Sequence, residues 1–108
     1  MKPLLILTNV PDRAVADTLA HALVEANAAA CVNVLAPCRS IYRWQGAVES
    51  ADEIPLLIKT SETQYADVER LVLAHHPYAV PELIALPIIK GLPAYLDWLA
   101  EQTAPSGD

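Results

Sequence analysis

Phenylalanine is absent from these 108 residues, and glycine occurs only three times. So few glycines leave little material for a phosphate-cradling loop, which needs several backbone positions free of a Cβ. There is no Gly-x-Ser-x-Gly, no His-Glu-x-x-His and no Cys-x-x-Cys. A nucleophile elbow, a zinc-protease helix and a thioredoxin-type redox pair are thereby excluded, and a non-enzyme without catalytic residues or an organic cofactor is expected. Basic side chains are scarce, seven against 13 acidic ones, for a net charge of −6. No basic patch exists, which argues against nucleic acid and anionic membrane surfaces as partners. The apolar runs are too short for a membrane span, and no charged-then-apolar leader opens the chain, so a cytoplasmic protein is expected. The two cysteines, Cys31 and Cys38, lie seven apart on one extended segment. At about 20 Å they are too distant for a disulfide and are read as free thiols.

What the chain has in quantity is aliphatic side chains: 54% of residues are hydrophobic. That exceeds the usual share and can serve a core and a subunit interface together. The stretch Ala30 to Thr60 organises the rest. Val32, Val34 and Leu35 open a strand, and Pro37, lacking an N–H, predicts a bulge or bend. The strand resumes through Ser40–Trp44, with Tyr42 and Trp44 on one face and Ile41 and Arg43 on the other. Gln45-Gly46 and the polar run Glu49–Asp52 read as turn chemistry, and Glu53 to Thr60 as the return strand. Fifteen extended residues reach about 50 Å, beyond the roughly 35 Å width of a domain this size. Such a hairpin should overhang its domain and be covered by another copy of the chain.

The remaining elements follow in order. Lys2–Asn9 reads as a buried strand, and Asp12 as the N-cap of a helix that runs to Asn27, a candidate left-handed terminus. Ser61 with Gln64 reads as a capping box for a second helix that ends at Pro77, with His75 and His76 in its last turn. Leu83–Ile89 reads as a strand at a sheet edge because of Pro87, and Ala94–Glu101 as a last helix. The polar tail 103–108 is expected to fray. One domain, 1–108, results. Its β-α-β-β-α-β order plus a terminal helix is that of an α+β, ferredoxin-like split βαβ sandwich. Both main helices then cover one sheet face, and the bare face calls for self-association.

Three stretches, AACVNVLAPCRSIYRWQG at 29–46, EIPLLIKT at 53–60 and HPYAVPELIALPIIKGLPAYLDWL at 76–99, closely resemble the CutA family of divalent-cation-tolerance proteins. The resemblance implies a ferredoxin-like subunit in a tight homotrimer built through its long hairpins. It implies a role in copper or other divalent-cation binding and in the response to metal ions. It also implies a likeness to the PII signalling proteins, and hence an alternative role as a signalling or scaffold module with ligand clefts between subunits. The copper site proposed for some bacterial members falls on His75 and His76, with Thr8 at the position of the family's cysteine ligand.

From the residues alone, His75 and His76 are candidate ligands for copper or zinc, or else the dipole-stabilised end of a helix. Cys31 is a candidate soft ligand or a packed thiol. The resemblance puts a hydroxyl at Thr8 where the family has a thiolate, which implies weak, histidine-led binding of Cu(II) or another divalent cation. Tyr42, Trp44, Tyr78 and Trp98 either line a small-molecule pocket or serve core and interface.

Overall fold

The structure, a computed structural model, describes residues 2–105. The chain runs β1 (Pro3–Val10), α1 (Arg13–Glu25), β2 (Cys31–Val34), β3 (Cys38–Trp44), β4 (Ala47–Ser61), a 3₁₀ turn (Glu62–Gln64), α2 (Tyr65–His75), β5 (Ile84–Pro87) and α3 (Pro93–Gln102). All strand pairs are antiparallel, in the order β2-β4-β1-β5, with β3 continuing the hairpin on β4. The fold is therefore a mixed α+β sandwich.

Period-two alternation sets its layers. On β1 the residues Ile6, Thr8 and Val10 are buried, and on β4 Ile54, Leu56, Ile58 and Thr60 are. The register pairs Ile6 with Ile58, Thr8 with Leu56 and Val10 with Ile54, so these side chains share one face. Ala16, Leu19 and Leu23 of α1 and Val68 and Val72 of α2 close over that face to make the core. The reverse face carries Leu5, Leu7 and Leu57, all only half-buried. This face is partly covered by α3, which packs against β1 and β4 and whose Thr103 bonds to Ser61.

Local chemistry fixes the element ends. The Val15 amide donates to Asp12 Oδ1 at 2.9 Å, the N-cap bond the sequence predicts. Asn27 takes φ +58, and the Ala28 and Ala29 amides both donate to the Leu23 carbonyl, a left-handed helix stop. β5 is an edge strand that ends at Pro87, where a missing N–H costs nothing.

The hairpin departs from expectation in one respect. Glu49–Asp52 are not a turn. They belong to β4, which is 15 residues long, and the turn is Gln45-Gly46 alone. Both turn residues have positive φ, +50 and +82, the two-residue geometry that matches strand twist. Polar side chains there reflect an exposed strand. The longest dimension of the molecule is 46 Å, against 28 and 23 Å for the other two, because this hairpin projects.

The capping box at α2 does not form. Ser61 Oγ lies 3.0 Å from the Thr63 hydroxyl and accepts from Thr103 Oγ1 at 3.1 Å, while Gln64 Nε2 donates to the Thr103 carbonyl at 3.0 Å. Tertiary partners have displaced the local motif. For the same reason Thr103 is buried rather than frayed. The rest of the tail beyond residue 105 lies outside the described residues.

Candidate functional site

The extra residue in the segment Leu35–Pro37 determines where the aromatic side chains go. Val34 pairs with Leu56 and Cys38 with Glu53, so three residues, Leu35 to Pro37, face only two, Ile54 and Pro55. This is a one-residue bulge. It changes the parity of the pairing. Before it, Val32 faces Ile58 on the helix side of the sheet; after it, Tyr42 faces Glu49 and Trp44 faces Ala47 on the reverse side. Tyr42 and Trp44 are thus brought to the face of Glu53.

There they line an open cleft of about 620 Å³ whose wall also includes Asn9, Tyr78 and Glu82. Glu53 is only 8% exposed. Tyr78 lines the same cleft as Glu53, near enough for that charge to act on its phenol. Burial first, and then the charge of Glu53, raise the Tyr78 hydroxyl above its ordinary value of 10.0, so it stays protonated and able to donate. Glu82 is anchored twice to β1: Asn9 Nδ2 donates to its carboxylate at 3.0 Å, and the Thr8 hydroxyl donates to its carbonyl at 2.6 Å.

His76 lies just beneath this wall. It falls outside the last turn of α2: at φ −85 and ψ 130 its backbone is extended, as the residue before a proline must be. It is 7% exposed. Its Nε2 lies 2.7 Å from the Asn9 carbonyl, and its Nδ1 lies 3.2 Å from the Tyr78 amide. A carbonyl only accepts and an amide N–H only donates, so Nε2 carries the proton and Nδ1 accepts. Both ring nitrogens are occupied, and the ring packs on Tyr78 at 4.7 Å between centroids.

The four sequence candidates for metal ligation therefore do not converge. His76 has no free lone pair in this geometry. The Thr8 hydroxyl is given to Glu82. Cys31 pairs with Lys59 on the reverse face of the sheet, whereas Thr8 pairs with Leu56 on the helix face, so the sheet separates them. His75 ends α2, half-buried, with no side-chain hydrogen bond among the described residues. No group of three or more His, Cys, Asp or Glu able to hold a metal occurs among the described residues. Cys31 and Cys38 are free thiols, as their spacing predicts. Glu53 and Glu82 were not singled out from the sequence as cleft residues. The signal that could have found Glu53 is an acid directly before the apolar run Ile54–Ile58.

The pattern defining the family described as "CutA1 divalent ion tolerance protein" matches residues 4–102. The divalent-cation tolerance protein CutA of Thermus thermophilus is 50% identical over 98 residues, covering 91% of this chain and 95% of that protein. Its solved structure superimposes with a TM-score of 0.93 at 48% identity, over 94% of this chain and 99% of that one. The crystal structure of CutA1 from Oryza sativa gives 0.94 at 37% identity, over 98% and 97% of the two chains. The chloroplastic protein CutA of Arabidopsis thaliana is 40% identical over 93% of this chain, which spans only 55% of that longer protein. With a family pattern spanning nearly the whole chain and backbones that superimpose throughout, this chain belongs to the CutA1 divalent ion tolerance family.

Proposed function

We propose that the chain is a non-enzymatic, cytoplasmic subunit of a ferredoxin-like homotrimer that binds copper or another divalent cation weakly and serves in metal-ion tolerance. The observation that carries the assembly is the projecting hairpin. Ile41 is 71% exposed and Trp44 47%, and Val48, Ile84, Leu86 and Ile89 are exposed as well. Apolar surface on that scale calls for a partner, and the sheet face only partly covered by α3 is continuous with it. Two free thiols agree with a reducing compartment.

Weak binding follows from the donor set. His75 supplies one unengaged imidazole per subunit, and Cu(II), at the top of the divalent affinity order, gains most from it. Sedimentation combined with copper titration tests both halves. A trimer that binds Cu(II) in the micromolar range or weaker, and loses it in His75→Ala, is expected. A stable wild-type monomer, or copper affinity unchanged by His75→Ala, overturns the respective half.

A second reading is favoured by the cleft. Its size lies within the range of small-molecule sites, about 300–1,000 Å³, which supports a PII-like ligand-binding module.

A further inference from the structure

We infer that the cleft between the hairpin and the loop after α2 is completed by the hairpin of a second copy, whose Arg43 enters it and pairs with Glu82. This contact rests on the homotrimer reading and names the side chains through which the copies join. It leaves the small-molecule reading only the space that the guest side chains do not fill.

Charge complementarity selects the occupant. The charged side chains lining the cleft are Glu53 and Glu82, and both are acidic. Glu82 is exposed, and its side-chain donor, the Asn9 amide, is neutral, so no charge within the chain offsets it. Arg43 is the converse case. It is exposed near the tip of the hairpin. The ion pairs among the described residues are Lys2 with Glu62, Arg39 with Asp52 and Arg70 with Asp67. Arg39 therefore has an acid across the strand, whereas Arg43 lies opposite Val48. A guanidinium is weakly hydrated and its planar fork matches a carboxylate, which suits it to an ion pair that a subunit contact covers. The rest of the surface agrees. Tyr42, Trp44 and Val80 give the cleft an apolar wall, and Val48, 66% exposed, puts an apolar neighbour beside the arginine stem.

Geometry makes the contact one between copies. Side chains alternate along β3, so Tyr42 and Trp44 line the cleft on one face while Arg43 projects from the other. Arginine and cleft thus sit on opposite faces of one hairpin. The contact is not self-complementary, and a copy whose cleft is filled still offers its own Arg43 to the next. Head-to-tail contacts of this kind close into rings, as a trimer requires, rather than into two-fold dimers.

The test is sedimentation velocity of the full chain over a dilution series. Arg43→Glu and Glu82→Lys should each raise the concentration of half-assembly about tenfold or more, since each sets like charges against one another. The double variant Arg43→Glu/Glu82→Lys should recover most of that loss. Both positions are exposed, so circular dichroism should show every variant folded. A cross-link gives a readout that does not depend on stability. In a mixture of unlabelled and isotope-labelled Arg43→Lys chains, a zero-length carbodiimide should join the introduced amine to Glu82 of another copy, seen as a mixed-isotope peptide. A monomeric wild type overturns the homotrimer reading and this contact with it. A trimer that neither reversal weakens, a double variant no better than the single ones, or cross-links confined to one chain overturns this contact alone and leaves the homotrimer standing.

Discussion

His76 donates from Nε2 to the main-chain carbonyl of Asn9 at 2.7 Å, 67 residues away in the chain. That bond fastens the loop after α2 to the end of β1. Its second nitrogen receives the Tyr78 amide and so holds Tyr78 against the cleft. His76→Ala would leave a carbonyl and an N–H without partners at a mostly buried position. A loss of about 1–3 kcal/mol is expected in denaturant titrations. His75→Ala, at the half-exposed neighbour, should stay within about 0.5 kcal/mol. Equal losses in the two variants would show that the histidines are not divided into a structural and an unengaged member.

The bulge yields a second prediction. Its residue count, rather than the proline ring, sets the face of Tyr42 and Trp44. Deleting Ala36 would force a choice: either the two-residue turn at Gln45-Gly46 breaks, or Val32 and Val34 leave the helix side of the sheet. Either outcome should destabilise the chain by about 2 kcal/mol or more in thermal melts. Pro37→Ala keeps the count and should cost less than about 1 kcal/mol. If the deletion melts like the wild type, the bulge does not set the register.

Much of this fold is legible in the sequence where the cause is local. Asp12 before a helical stripe, Asn27 after it, Pro37 within a strand and Pro87 at an edge each act through their own backbone chemistry, and each is found where expected. The failures have distant causes. Ser61 and Gln64 form the spacing of a capping box, but Thr103 lies 42 and 39 residues away and claims both. Glu49–Asp52 have turn composition but are held in β4 by pairing with β3. The cleft was legible in part: of the candidate pocket aromatics, Tyr42, Trp44 and Tyr78 line it and Trp98 does not, while Glu53 and Glu82 were missed for a related reason. Its aromatics and acids come from three segments, and which face they share depends on a residue count across two paired strands. His76 was the nearest miss, since the proline that follows it already forbids a helical backbone there.

The hairpin should govern assembly. Trp44→Glu places a charge on an exposed apolar face that requires cover, next to Tyr42. Where a trimer buries this face, desolvating the carboxylate without a partner should convert it to monomer or aggregate at micromolar concentration in sedimentation velocity. An unaltered assembly would show that Trp44 lies outside the interface.

The last prediction concerns pH. The Tyr78 hydroxyl is raised above 10.0, first by burial and then by the Glu53 carboxylate. A raised folded-state value means that the folded chain holds the phenolic proton more tightly than the unfolded chain does. The resulting stabilisation is fully present below pH 10. It is lost as pH rises through the folded-state value, because ionisation then occurs in both states. Tyr78 is too exposed for that contribution to be large, so the sharper readout is spectroscopic. Ultraviolet difference titration should show Tyr65, Tyr78 and Tyr95 ionising later than an exposed tyrosine, and Tyr78→Leu should remove one of the three late components. Glu53→Gln should move that component back only part of the way toward 10.0, since burial, the larger cause, remains. A full return to 10.0 in Glu53→Gln would make the charge the dominant cause; no movement would mean that the charge of the carboxylate does not reach the phenol.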